Sequence, residues 1–279
     1  MTDDAGWPIK MEPHEMSLDH DCVREAPRHV PVVRRVDVLV CGGGPAGVGA
    51  ALAAAVEGAE ILLVERHGML GGMWTASLMN PLFQFRQGWM LDTIIEELKA
   101  RDAWAEWNPW GGDGERCHDP EVLKLVLEQL MERSGAEFWY HSPVVEPIVK
   151  HGAVRGAIIE SKSGREAVLA DVVIDCTGDG DVAARAGVPF RVGRPVDGIC
   201  QPMTLMFEIS GLGDYVQHNA TELFDRMAAA VKEHDLGVEL PWGPDRHGTP
   251  WVIHIPRPGC AVVPATHVYR FAATDTRDL

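Results

Sequence analysis

From Val36 to Cys41 the chain reads Val-Asp-Val-Leu-Val-Cys, a short apolar run rich in β-branched residues that predicts a buried strand. Pro45 to Val56 is dominated by alanine, a strong helix former with little bulk, and predicts a helix that packs closely on a sheet. Glu60 to Glu65 predicts a second buried strand, completing a β-α-β unit. Apolar residues recur at helical spacing over Leu91–Lys99 and Val122–Met131, and Asp119-Pro120 marks the start of the second of these helices. Glu137 to Tyr140 reads as a third parallel strand. Three β-rich runs follow near 144–149, 153–160 and 166–170, divided by His151-Gly152 and Ser163-Gly164. Turn signals at hairpin spacing predict an antiparallel meander. Val172 to Cys176 is again a buried strand, and a short helix is expected over Val182–Ala186.

These elements predict an α/β fold. It is Rossmann-like, with a parallel sheet, helices on one face and a three-stranded antiparallel meander on the other. Residues 1–33 are polar and proline-bearing, without a sustained period, and read as an irregular extension. Residues 34–189 form the nucleotide-binding domain. After Pro189 alanines thin out and prolines increase, so 190–279 reads as the start of a second, α+β domain.

Acidic residues outnumber basic ones by 41 to 25, and the formal charge of −16 repels phosphate backbones and anionic headgroups. Nucleic acid and membrane surfaces are therefore excluded as partners. The stretch between Asp37 and Glu57 carries no charge, but Gly42-Gly43-Gly44-Pro45 would interrupt a membrane helix there. The cysteines are scattered without a Cys-x-x-Cys pair, which gives no support for a metal centre and fits a reducing cytoplasm. The N-terminus lacks a basic head followed by an apolar core, so it is not a signal peptide.

Gly42-Gly43-Gly44-Pro45-Ala46-Gly47 satisfies G-x-G-x-x-G between a strand and a helix, with Glu65 at the end of the next strand. In that setting each position has a mechanical reason. Gly42 permits the tight turn, Gly44 lets backbone approach a pyrophosphate, and Gly47 lets helix and strand pack closely. The helix N-terminus offers unpaired N–H groups to the phosphates. Glu65 would accept hydrogen bonds from the adenosine ribose and would repel a 2′-phosphate, which disfavours NADP. A second cluster, Gly68-Met69-Leu70-Gly71-Gly72-Met73, lies where a simple NAD domain enters its next helix. A third, Thr177-Gly178-Asp179-Gly180-Asp181, ends the strand after the meander.

In this order the three motifs, with the meander between the second and third, resemble the FAD-dependent oxidoreductases of the glutathione-reductase-like flavoprotein superfamily. The resemblance covers roughly residues 34 to 190 and implies FAD; non-covalent binding is the default expectation, with His67 and six cysteines available for covalent attachment. It implies that Gly42, Gly44, Pro45, Ala46 and Gly47 line the pyrophosphate, with Glu65 on the ribose and Arg66 beside the adenosine. Gly71, Gly72 and Met73 would follow the pyrophosphate and ribityl chain. Val145 would offer backbone groups to the adenine, and Thr177, Gly178 and Asp179 would close over the adenosine side. The implied activity is hydride transfer between an organic small-molecule substrate and the flavin. Two other readings stand beside it: a non-catalytic FAD- or nucleotide-binding subunit, and an NAD-dependent dehydrogenase. The superfamily's returning strand and its flavin-facing helix have no counterpart after Asp181. A second chain or a further C-terminal segment is therefore expected to complete the FAD site, and an oligomer is compatible with that.

No catalytic residue is written in a motif. His254, His267 and Arg270 are the candidates for substrate-polarising groups, although nothing local separates them from structural residues. Trp104, Trp107 and Trp110 recur at every third residue and read as an amphipathic turn anchoring a loop, in preference to an aromatic wall over the flavin. Cys117-His118 suggests a thiol site but shows no partners in sequence. Cys41 reads as buried and inert.

Overall fold

The computed structural model describes residues 17–19, 22–25, 27–82, 88–107, 115–213, 220–234 and 253–268. It divides into two compact units, Met1–Pro31 and Val32–Leu279. The first unit holds an antiparallel hairpin of β1 (Ser17–Asp19) and β2 (Cys22–Arg24), paired Ser17 to Arg24 and Asp19 to Cys22. Residues expected to be irregular thus carry a hairpin whose strands are too short to show a period in sequence.

The second unit is built on a six-stranded sheet. Its members are β3 (Val32–Cys41), β4 (Ile61–Val64), β8 (Glu137–Trp139), β9 (Val144–Lys150), β10 (Ala153–Ser161) and β11 (Gly164–Asp175). Their order is β8-β4-β3-β11-β10-β9, parallel from β8 through β11 and antiparallel from β11 through β9. Two strand boundaries differ from the sequence reading. β3 starts at Val32 because Val32 to Arg35 pair with Ala167 to Leu169, so a charged Arg34-Arg35 pair lies inside a strand. Arg34 stays compatible with the sheet by bonding Glu137 at 2.8 Å and Glu60 at 3.0 Å. The runs at 166–170 and 172–176 are one strand, β11, which serves the meander with its first half and the parallel sheet with its second. The exposed Asp171 interrupts the apolar pattern without interrupting the backbone.

Alternation along β3 and β4 sends side chains to two cores. Val40, Ile61 and Leu63 pack under the helices α1 (Pro45–Val56), α2 (Trp89–Lys99) and α3 (Pro120–Ser134), against Val48, Leu98, Leu123, Leu127 and Met131. Leu39, Cys41, Leu62 and Val64 share the second core with Ala157, Ile159 and Val168 of the meander. Helices therefore cover one face and the meander the other. α3 starts where Pro120 fits the first turn and the Asp119 carboxylate accepts the Glu121 N–H at 2.9 Å, and it stops at Gly135 with φ +77°.

A small antiparallel sheet is formed by β5 (Pro81–Leu82), which precedes α2 in the chain, and by β7 (Glu115–His118) and β6 (Trp104–Trp107), which lie between α2 and α3. This corrects the amphipathic-turn reading: Trp-Ala-Glu-Trp is a strand paired with β7, and half-buried Trp104 packs on the helix-side core. The Trp107 side chain, Trp110, Gly111 and Gly112 lie outside the described residues. After the short helix α4 (Asp181–Arg185), β12 (Met203–Ile209), β13 (Ile253–His254) and β14 (Ala261–Val268) form a separate antiparallel sheet. A helix unpredicted from sequence, α5 (Ala220–Glu233), lies between β12 and β13 in the chain. Among the described residues no helix is long and apolar enough to cross a membrane.

Candidate cofactor site

The fingerprint glycines sit at the carboxyl ends of β3, β4 and β11. Gly42 has φ +103°, and a Cβ there would lie 2.3 Å from the Cys176 carbonyl oxygen, so glycine alone lets β3 turn beside β11. Gly47 is needed for a different reason: a Cβ would fall 1.8 Å from the Gly42 carbonyl oxygen, inside the contact between α1 and the turn. Gly44 differs from both, because a Cβ there would meet nothing within 4 Å. It is the N-cap of α1, makes no side-chain capping bond, and is followed by Pro45 and by a first turn without acidic residues. The first-turn N–H groups are left to a ligand or to water, with the helix dipole favouring an anion. Pro45 has no N–H to offer, and exposed Ala46 and buried Gly47 follow it.

Glu65 ends β4 and is 6% exposed. Its Oε2 accepts the Gly43 N–H at 2.6 Å and its Oε1 accepts the His67 N–H at 2.8 Å. A carboxylate has about four lone-pair sites, so acceptor capacity remains for hydroxyl groups. Arg66 is exposed, and its Nε donates to His67 Nε2 at 3.1 Å.

The second glycine cluster closes on the first. Gly71 N–H donates to the Gly43 carbonyl at 2.8 Å, and a Cβ on Gly72 would lie 2.9 Å from the Gly44 Cα. Gly72–Trp74 form a single 3-10 turn, in which Met73 is 58% exposed. The third cluster closes on itself through Asp175, a residue the sequence reading left without a role. Asp175 Oδ1 accepts the Thr177 hydroxyl at 2.7 Å and its N–H at 3.1 Å, and Oδ2 accepts the Ala183 N–H at 2.8 Å. The Thr177 oxygen in turn accepts the Asp181 N–H at 2.8 Å. These bonds leave Gly178 and Asp179 exposed at the loop tip. A carboxylate at a strand end, directly before a glycine-rich loop, was the available signal for this arrangement.

The fold therefore brings Gly42, Gly44, Gly47, Glu65, Gly71, Gly72 and Thr177 into one neighbourhood. Val145 is tied in more loosely: Ser142 N–H donates to the Glu65 carbonyl at 2.9 Å, and Val145 follows on β9, where one row of backbone groups has no strand partner among the described residues. The open Gly44 and the uncapped start of α1 fit a dinucleotide pyrophosphate.

The remaining candidates separate clearly. Cys41 is fully buried, and burial, with Asp175 nearby, pushes its thiol up to about 12, so it stays protonated. Cys117 is buried in an apolar cluster with Ile253, Ile255 and Cys260, which is no setting for a nucleophile. His118 beside it is 0% exposed, and burial lowers its pKa to about 4. His254 is buried on β13, its pKa lowered by burial, and its Nδ1 has no protein partner among the described residues. His267 lies opposite Thr204 in β14, but its side chain and all of Arg270 lie outside the described residues. Asn80, unmarked by any motif, donates to the carbonyls of both His118 and His254.

A family model described as FAD dependent oxidoreductase matches residues 37–274. Aklavinone 12-hydroxylase DnrF of Streptomyces peucetius subsp. caesius is 35% identical over 132 residues, covering 44% of this chain and 27% of its own. Thiamine thiazole synthase of Methanococcus aeolicus is 31% identical over 160 residues, covering 53% of this chain and 57% of its own. The glycerol-3-phosphate dehydrogenase of Bacillus halodurans, solved in complex with FAD, is similar in fold with a TM-score of 0.51 at 16% identity, over 86% of this chain and 49% of that one. Matching 27% and 57% of these two curated relatives, the chain spans well under their full length.

Proposed function

Because the chain belongs to the FAD-dependent oxidoreductase family, we propose that residues 34–189 are the FAD-binding domain of a redox enzyme and 190–279 the start of its substrate domain. FAD is the cofactor, and we read it as non-covalently held. Bound FAD supplies the two-electron chemistry, accepting or giving hydride opposite an organic small molecule. The protein's own groups bind and orient. The N–H groups of Gly44, Ala46 and Gly47, with Pro45 lining the turn between them, receive the pyrophosphate on the α1 N-terminus. Glu65, already fixed by two backbone donors, accepts the ribose hydroxyls, and Arg66 flanks the adenosine. Gly71, Gly72 and Met73 run along the chain toward the flavin. Thr177, Gly178 and Asp179 cover the adenosine side, and Val145 offers edge backbone to the adenine. His254, His267 and Arg270 are proposed to face the substrate, with burial keeping His254 neutral.

The observation that carries this reading is the uncapped α1 N-terminus with the open Gly44, enclosed by the Gly71–Gly72 turn. The purified protein should be yellow and should release FAD on denaturation. A colourless protein that binds nicotinamide dinucleotide and ignores FAD would overturn it. The relatives' greater length favours one further reading: a second chain, which an oligomer could supply, or additional sequence completes the flavin end, and activity requires it. Turnover of a reducible dye by this chain alone, with substrate, would count against that. The scattered cysteines, without a Cys-x-x-Cys pair, support a cytoplasmic setting.

A further inference from the structure

A carbonyl oxygen can only accept a hydrogen bond, so the 2.8 Å contact between His118 Nε2 and the Trp74 carbonyl requires the proton on Nε2. His118 Nδ1 is buried and has no protein partner among the described residues, so the ring acts there as a donor only. Burial favours the neutral form, and the neighbouring Asp119, which would favour a cation, is already engaged by Arg257 at 2.9 and 3.2 Å. Arg257 also bonds Glu208, and its guanidinium offsets part of the Asp119 charge that would otherwise favour a cationic ring.

Trp74 closes the 3-10 turn that begins at Gly72. Within that turn the other bonds are local: Trp74 N–H to the Gly71 carbonyl at 2.9 Å, Met79 N–H to Met73 at 2.9 Å and Thr75 Oγ1 to Leu70 at 2.5 Å. Gly71 to Gly43 at the front and His118 to Trp74 at the back tie the turn to distant chain. Behind His118 stands Asn80. Its carbonyl accepts the His118 N–H at 3.2 Å, and its Nδ2 donates to the carbonyls of His118 at 3.1 Å and His254 at 2.7 Å. One buried amide thus joins β7 to β13, and the His118 ring joins β7 to the glycine turn.

We propose that His118 is a positioning residue, fixed as the neutral Nε2–H tautomer, that holds the Gly71–Trp74 turn against the cofactor while Asn80 couples that turn to β13 and His254. The inference rests on the FAD reading of the site and adds residues that no glycine motif contains. Glutamine is the conservative variant, because its amide nitrogen lies as many bonds from Cβ as Nε2 does in histidine. Leucine keeps bulk and removes the donor.

Ring-nitrogen NMR on the cofactor-free wild type, with the His118 signal assigned by its loss in His118→Gln, should show a protonated Nε2 and a bare Nδ1, unchanged between about pH 5 and pH 8. A ring protonated at Nδ1, or one that titrates in that window, overturns the proposal even if His118→Leu does not fold. In FAD titrations His118→Leu should bind about tenfold more weakly with an altered flavin absorption band, the effect of one lost buried bond. His118→Gln should stay within about threefold of wild type with the wild-type band. Equal binding by His118→Leu and wild type, or His118→Gln as weak as His118→Leu, overturns the positioning role alone. A wild type that takes up no FAD overturns the cofactor reading, and the positioning role with it.

Discussion

Replacing Glu65 with alanine separates the two tasks the structure gives its carboxylate. Gly43 is buried, and its N–H points at Oε2 from 2.6 Å. Removing that acceptor leaves a desolvated donor, at a cost of about 1–3 kcal/mol. The His67 N–H, bonded to Oε1 at 2.8 Å, belongs to an exposed residue, where water can replace the lost partner at little cost. Glu65→Ala should therefore destabilise the cofactor-free protein by about 1–3 kcal/mol. Binding loses a further contribution, because a hydrogen bond to a charged acceptor contributes about 1.5–3 kcal/mol, or about tenfold to a hundredfold in Kd. Glu65→Gln keeps one acceptor and turns the other oxygen into a donor facing an N–H, so it should fall between the two. Denaturant unfolding of the cofactor-free variants gives the first quantity. Quenching of flavin fluorescence, at a temperature where each variant is folded, gives the second. Reduced stability with unchanged FAD affinity would remove Glu65 from the ribose, and no change in either would refute the whole assignment.

Gly42→Ala combines a left-handed backbone position, which costs about 1–2 kcal/mol for a residue with a Cβ, with a clash 2.3 Å from the Cys176 oxygen; a wild-type melting temperature with intact FAD binding would contradict this. His118 titrates near 6.5 when unfolded and about 4 when folded, so between those values the unfolded state holds the extra proton. Its contribution to stability is complete above about pH 6.5 and is lost as pH falls toward 4. Unfolding measured across that range should show His118→Gln flattening the dependence, and an unchanged slope would contradict it. Asn80→Ala removes the donor shared by the His118 and His254 carbonyls and should lower stability by about 1–3 kcal/mol per carbonyl left unsatisfied, read by calorimetry; an unaltered transition would contradict the link between β7 and β13.

Much of the cofactor side was legible because its signals are local. The β-α-β unit needs only period-two and period-3.6 apolar patterns, and the glycines at 42 and 47 are demanded by contacts within or beside that unit. The structure changes the meaning of some residues more than their location. Read from sequence, Glu65 serves only the ribose, whereas its bonds to Gly43 and His67 also make it part of the turn. Asn80 was invisible because its amide nitrogen serves backbone carbonyls, and backbone positions leave no mark in a side-chain pattern, whereas Asp175 carries a local signal in its position directly before the glycine-rich loop. The tryptophans misled for a physical reason: a spacing of three matches a helical turn, but paired β7 captures Trp104–Trp107 as a strand. Tertiary pairing overrides so short a local signal. β11 was divided in two because a single exposed Asp171 breaks hydrophobicity without breaking the hydrogen-bond ladder.

The central claim is that the uncapped start of α1 receives the pyrophosphate of FAD. A crystal structure of the protein equilibrated with FAD tests it directly. The account predicts pyrophosphate oxygens within hydrogen-bonding distance of the Gly44–Gly47 amides, the ribose on Glu65, and the Gly71–Gly72 turn along the chain toward the flavin. FAD bound elsewhere, or a pyrophosphate held away from α1 with Glu65 touching no hydroxyl, would contradict it.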